Sequence, residues 1–459
     1  MKRFAKIASY IIIAGLFSVA LSGCTAKSQK TPETTKLIVW GFEEEDVWKP
    51  VKAEFEKANK GIELNYQKQI FDDRYETRVL NSMQSGQGPD VWAMPNDWVY
   101  RHKDKLVPMP ANLAKNVNLD TQFVPIIKQS VNFDDKIYAL SPYAEPMLVF
   151  WNSSIFKTME EDYSQKEKTP SLTSEQRDKT LRLFQSFPKT WTEFTDLAKA
   201  LTLKSNQEIQ QSGVAMGSSN IRHSQDILNL LMLQNETKIV SDDLKIATFN
   251  LPLETPRENP DIPGKRALDF YTAFNNPNSA NYSWNDSLGN SLDAFANGKV
   301  AMIFAYNSDE NYLKQKYPSF SYKKAFVPQI SEETNKITDF AKFTAFGVSN
   351  QTELAAQAWN LVYNFLVNDP STQFVSGAGL YNSKKAAEYD IALANRDNNS
   401  PEKLELATAK TFNKGRFPVE FDNYIKSAIF AVNKGLQDSK QALDLAAENV
   451  TQLLKKTDW

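Results

Sequence analysis

Two histidines, one cysteine and 55 carboxylates are what this chain offers for imidazole, thiol or acid chemistry. Nucleophilic catalysis by serine needs an imidazole beside the hydroxyl. His102 stands before Lys103 and His223 after Arg222, with no Gly-x-Ser-x-Gly elbow to present a serine, and His102 reads as a surface residue. Zinc needs clustered nitrogen and sulfur donors, and no His-Glu-x-x-His occurs. Gly86 and Gly88 resemble a phosphate cradle, but Pro89 lacks the needed N–H and no Gly-Lys-Ser/Thr follows. A pair of carboxylates flanking a glycosidic bond is the one enzymatic arrangement that 55 acids supply on paper. The aromatic content of 12% points elsewhere, because flat apolar faces beside carboxylates and amides suit binding better than proton transfer. The chain reads as a binding protein without catalytic residues, metal or cofactor.

Cys24 has a different use. It follows Leu21-Ser22-Gly23, at the end of an apolar run from Ile7 to Ala20 that is preceded by Lys2, Arg3 and Lys6. A basic start, a short apolar run and small residues at the cut describe a secretory leader, here residues 1–23, and the run is too short to span a bilayer comfortably. The sole cysteine has no disulfide partner, so its expected role is to carry lipid. Residues 24–35 are polar and form a solvated spacer. Loss of the leader leaves 50 basic against 55 acidic residues, a net charge of −5 with no indication of a nucleic-acid partner.

The elements that must position the binding groups alternate between strand and helix. Leu37 to Trp40 is a short apolar run, Val47 to Asn59 places Val47, Val51, Phe55 and Ala58 on one face, and Ile62 to Tyr66 alternates at period two. A second cycle follows, with a helix near Arg74 to Gln84, a turn at Gly86 to Asp90 and a strand at Val91 to Met94. Parallel strands with crossover helices are the natural packing. Helices are expected at Trp191 to Leu203, with a Thr190/Glu193 capping box, at Ala355 to Val367 and at Ser439 to Leu454. Thr158 to Lys179 and Ala387 to Glu402 are polar and read as exposed loops or mobile helices. Trp40 and Trp359 lie in apolar periodic runs and read as core.

In order and spacing, the segments LIVWGFEEEDVWKPVKAEFEKANKGIEL, GQGPDVWAMPNDWV, KIYALSPYAEPMLVFWNSSIF, PKTWTEFTDLAKALT, SLDAFANGKVAMIFAYN, FGVSNQTELAAQAWNLVYNFL and QALDLAAENVTQLL resemble the extracellular solute-binding proteins of carbohydrate ABC importers, grouped with maltose-binding protein. The resemblance implies an α/β, two-lobed periplasmic-binding-protein-like fold of type II, each lobe a mainly parallel sheet flanked by helices, with a hinge and an inter-lobe cleft. By motif, the first lobe takes 36–142 and 345–402, and the second takes 147–340 and 403–459. It further implies an extracytoplasmic, lipid-anchored monomer that captures a sugar and delivers it to permease subunits.

On that pattern the cleft residues fall where motifs end. They are Glu43 and Glu44 after the first strand, Asp97 and Trp98 after the third, Tyr143, and Glu145, an acid seven residues before Asn152 as in the maltose-binding pattern. The other candidates are Trp284, Tyr306 and Asn307, with Phe343, Phe421, Tyr424 and Arg222. An acid after a strand also serves as a helix N-cap, and Trp284 in its polar context suits packing as well as contact. The alternatives are a receptor for another solute, a polyamine or peptide, and after it an anchored glycosidase or adhesin.

Overall fold

In a computed structural model of the chain, residues 35–206, 208–253, 261–333, 336–368, 374–376, 381–383 and 401–456 are described. Cys24, the leader, the spacer to residue 34 and most of the polar stretch from Ala387 lie outside the described residues.

The first apolar run forms the strand Thr35–Gly41, so Thr35 belongs to the folded body, paired with Ile62, and not to the spacer. The helix Glu45–Ala58 turns Trp48, Val51 and Phe55 inward. Trp48 thus takes the core position expected for Val47, because the larger ring buries more apolar surface. Strands Ile62–Lys68, Thr35–Gly41 and Val91–Pro95 are parallel neighbours. Thr344–Val348 then joins Val91–Pro95 antiparallel, and Ala139–Leu140 closes the edge. The second sheet runs Tyr322–Ala325, Leu148–Asn152, Val300–Ala305, Glu208–Val214, Leu203–Ser205, with only Glu208–Val214 and Val300–Ala305 paired parallel. Both sheets are therefore mixed rather than mainly parallel, because strands that return from the other lobe enter against the local direction.

Each sheet anchors its own apolar core. One core gathers residues from Leu37 to Ala144 and from Ala341 to Ala409, and the other gathers residues from Met147 to Phe340 and from Phe421 to Val450. Between them lies a small four-stranded sheet of Tyr381–Asn382, Tyr143–Pro146, Asp339–Lys342 and Ala409–Lys410, through which the chain crosses three times. Helix Pro401–Thr408 sends Leu406 into the first core, so the expected join at 402 to 403 falls inside a helix.

Local signals read correctly where they are self-contained. The Thr190 capping box opens its helix as expected, although that helix ends at Ala200 and Leu203 already begins the strand Leu203–Ser205, and Ser439–Leu454 is helical throughout. Trp40 and Trp359 are buried. The charged stretch from Thr158 is mainly two helices, Ser153–Ser164 and Ser174–Gln185, the second opened by a Thr173/Gln176 capping box. The helix from Ala355 widens after Asn360 into a π-helix, Leu361–Asn368.

His102 is fully buried instead of exposed, packed on Trp92 and Trp98 and 2.9 Å from Glu76. Arg101 reaches the same carboxylate at 2.5 Å. Burial would raise the Glu76 carboxyl, but the contacts with His102 and Arg101 pull it down to about 2. A depressed folded-state pKa stabilises the fold above the ordinary value of 4.5, and that stability disappears as pH falls from there towards 2. Glu76→Gln should therefore flatten the acid-unfolding curve in that window, as followed by circular dichroism. An unchanged curve would mean that Glu76 carries none of the acid sensitivity.

Candidate ligand-binding cleft

The turn after the first strand is built to hold one carboxylate at the edge of the first lobe. A Cβ on Gly41 would lie 2.8 Å from the Tyr66 ring and 3.0 Å from Glu43 Oε2, so glycine there lets both come close. Tyr66 stacks on Trp48 at 4.5 Å and donates its hydroxyl to the Glu43 carbonyl at 2.6 Å. The Glu43 carboxylate accepts the Tyr143 hydroxyl at 2.6 Å and the Trp48 indole N–H at 3.4 Å. Loss of water raises its pKa, opposed by these donors. Glu43 is thereby fixed in direction while remaining partly open to solvent.

Glu43 lines a cleft of about 530 Å³ walled by both lobes. Phe42, Val47, Phe71 and Pro95 form its apolar side. Phe71 is 53% exposed and meets Phe42 edge to face at 5.3 Å, with Trp98 behind it at 5.6 Å. The opposite wall is the helix Asn307–Lys316, which contributes Asn307, Asn311 and Gln315 at successive spacings of four, with Ser308, Glu310 and Lys314 beside them. Crossing strands supply Tyr143, Glu145, Lys342, Phe343 and Thr344. Glu145 accepts the backbone N–H of Ser308 at 2.7 Å, tying a crossing strand to the first turn of the opposite wall.

Of the residues expected at the site, Glu43, Glu44, Tyr143, Glu145, Asn307 and Phe343 line this cleft together. Glu44 does not cap its helix and pairs with Lys68 at 2.5 Å. The remainder sit elsewhere. Trp98 begins the short helix Trp98–Arg101 and falls into the first core, stacked on Tyr75, so it supports Phe71 and offers no face to the cleft. Asp97 turns to Lys414 at 3.3 Å. Trp284 is 1% exposed, because its polar neighbours find partners inside the fold, as Ser283 does by donating to the Val214 carbonyl of the second sheet. Phe421 is fully buried against Phe249 and Phe412, and Tyr424 packs on the same core.

Tyr306 lies one layer beneath the cleft, its hydroxyl bonded to Asp226 at 3.0 Å and its ring carrying the Lys342 ammonium at 3.9 Å. Arg222 is held by Asp309 at 2.6 Å, which also binds His223 at 2.8 Å. Burial of Asp309 is outweighed by these contacts, which hold its carboxyl far below the usual range.

Sequence reasoning missed Phe42, Phe71, Asn311, Gln315 and Lys342. The spacing of four from Asn307 through Asn311 to Gln315 was a readable signal, as was the apolar pair Ile70-Phe71 inside a polar turn. Neither histidine lines the cleft. Its carboxylates accept, its amides do both, and its aromatic edges and faces pack on C–H groups, which is equipment for holding a polar solute.

Two lobes around such a cleft define a binding protein, and the chain belongs to the bacterial extracellular solute-binding protein family, whose model matches residues 51–399. It is a solute receptor and not an enzyme. Among curated relatives, the galactooligosaccharide-binding protein of Bacillus subtilis (strain 168) is 28% identical over 182 residues, which is 36% of this chain and 41% of that protein's length. Among solved structures, the sugar-binding protein MalE from the phytopathogen Xanthomonas citri is 18% identical with a TM-score of 0.68, over 92% of this chain and 97% of that one. An ABC transporter solute-binding protein from Thermotoga lettingae TMO, bound with alpha-D-tagatose, is 21% identical with a TM-score of 0.63, over 92% and 100%. These likenesses carry the two-lobed periplasmic-binding-protein fold across the chain. No helix among the described residues is long and apolar enough to cross a membrane.

Proposed function

We propose that the cleft captures a carbohydrate and that the closed, loaded form delivers it to the permease of an ABC importer. The observation that carries this reading is the lining itself: Glu43 fixed by Tyr143 and Trp48, the amide row Asn307, Asn311 and Gln315 opposite, and Phe42 and Phe71 at one side. Hydroxyls of a sugar exchange hydrogen bonds with the first two groups while its C–H patches pack on the third. The relatives named above, a galactooligosaccharide-binding protein and a receptor bound with alpha-D-tagatose, agree with it. Lys342 in the same lining counts against a polyamine, whereas Lys314 is already paired with Glu310.

In this reading the three crossings at Tyr143–Pro146, Asp339–Lys342 and Ala409–Lys410 act as the hinge. A ligand that touches both walls is held only when they approach, so binding shifts an open-closed equilibrium. Cys24 carries lipid, the monomeric body stands outside the membrane on its spacer, and ATP hydrolysis belongs to another subunit.

The test is thermal shift of the purified chain against mono- and oligosaccharides, spermidine and short peptides. A ligand at about a hundredfold excess over its Kd should stabilise the protein by about 2.7 kcal/mol. Glu43→Gln and Asn311→Ala should each weaken the response to a sugar, and scattering should show compaction on binding. A response to spermidine or peptide with silence across the sugars would sink the carbohydrate reading.

A further inference from the structure

Lys342 stands apart from the other cations of the cleft. Lys314 is paired with Glu310 at 2.7 Å, and the lining residue Glu44 is taken up by Lys68 from outside the lining. Lys342 is partly buried and forms no ion pair among the described residues, although its charge helps to hold down the Asp309 carboxyl from a distance. Its contact is the face of Tyr306, 3.9 Å from the ring centroid. A ring face attracts an ammonium but does not take up three N–H donors.

The residue is also held firmly. Its strand pairs Lys342 with Glu145, whose carboxylate is already engaged by the Ser308 N–H. The next residue, Phe343, is clamped through both backbone groups to Asn96, N–H to Oδ1 at 3.3 Å and carbonyl to N–H at 3.0 Å. A partly desolvated cation on a rigid element, with donors left over and a polar cleft in front of it, is built to meet an acceptor supplied by the solute.

Resting on the carbohydrate reading above, we infer that Lys342 is the specificity-determining residue of the cleft: it donates to a hydroxyl, ring or glycosidic oxygen of the ligand and excludes amine-bearing solutes, amino sugars included. Two positive charges brought together in a partly desolvated site repel, whereas Glu43 and Glu145 alone would welcome a cation.

Binding by calorimetry to the full chain and to Lys342→Met tests this, using the neutral sugar that stabilises the wild type, its 2-amino counterpart and spermidine. The expected result is a loss of about tenfold or more in affinity for the neutral sugar, and a narrowed preference over the amino sugar. The ligand-free melting temperature of Lys342→Met should match the wild type, and Lys342→Arg, which keeps the charge, should still reject spermidine. Unchanged neutral-sugar affinity in a folded Lys342→Met overturns the inference and leaves the carbohydrate reading standing. Wild-type preference for spermidine or an amino sugar overturns the inference directly, and silence toward every sugar overturns the carbohydrate reading with it.

Discussion

Replacing Lys414 by methionine should destabilise the protein by about 3–5 kcal/mol, the range found when one partner of a buried ion pair is removed. The Lys414 side chain is 7% exposed, with its ammonium 2.8 Å from Asp422 and 3.3 Å from Asp97. Asp97 follows the third strand of the first lobe and Asp422 lies in the helix Pro418–Asn433 of the second, so one ammonium joins the two lobes beside a crossing. Burial pushes the Asp422 carboxyl up to about 7, against the pull of Lys414 and with the repulsion of Asp226 and Asp97. Without the ammonium, Asp97 and Asp422 lose their shared counter-ion while the charge of Asp226 still repels Asp422. An acid with a raised folded-state pKa stabilises most when protonated, and that stability is lost as pH rises through its folded value. The deficit in Lys414→Met should therefore shrink between neutral pH and about pH 5. Adding Asp422→Asn should recover part of it. An unfolding free energy from denaturant titration within about 0.5 kcal/mol of the wild type would show that the buried cation contributes little.

Gly264→Ala should have the second large effect and the opposite sign from its helical context. Gly264 lies in the helix Pro263–Ala273, where alanine ordinarily stabilises by about 1 kcal/mol over glycine. A Cβ there would sit 2.0 Å from the Phe249 carbonyl oxygen, which is backbone and cannot rotate away. The helix must move off the second core, at a cost of about 3 kcal/mol. A melting temperature at or above that of the wild type would show that the segment around Phe249 yields freely.

These positions also mark the limit of what the sequence discloses. The strands near Leu37, Ile62 and Val91, and the helices opened by Thr190 and closed by Leu454, are legible because their periodicity and caps are local. Glu43, Tyr143 and Glu145 are legible because motif order places the ends of strands at the cleft. What fails is the direction of side chains whose surroundings come from elsewhere. Trp284 has a polar sequence context and a buried ring, and Trp98 follows a strand yet serves as backing for Phe71. Asp97 looks like a ligand acceptor until Lys414, far along the chain, arrives to claim it. Lys342 went unread for the complementary reason, since nothing near it in sequence reveals that its ammonium forms no ion pair among the described residues.

The triple crossing has a temporal side. The first lobe's sheet receives its fourth strand, Thr344–Val348, roughly 250 residues after Val91–Pro95, the strand it pairs with, so loop closure must precede reward. Until that segment emerges from the ribosome, the Val91–Pro95 edge stands unpaired and the first core lacks Phe346 and Trp359. The amino-terminal half therefore cannot complete itself as it is made, and folding waits for most of the chain. For a polypeptide proposed to be threaded through an export channel before it works, that postponement keeps it pliable for transit.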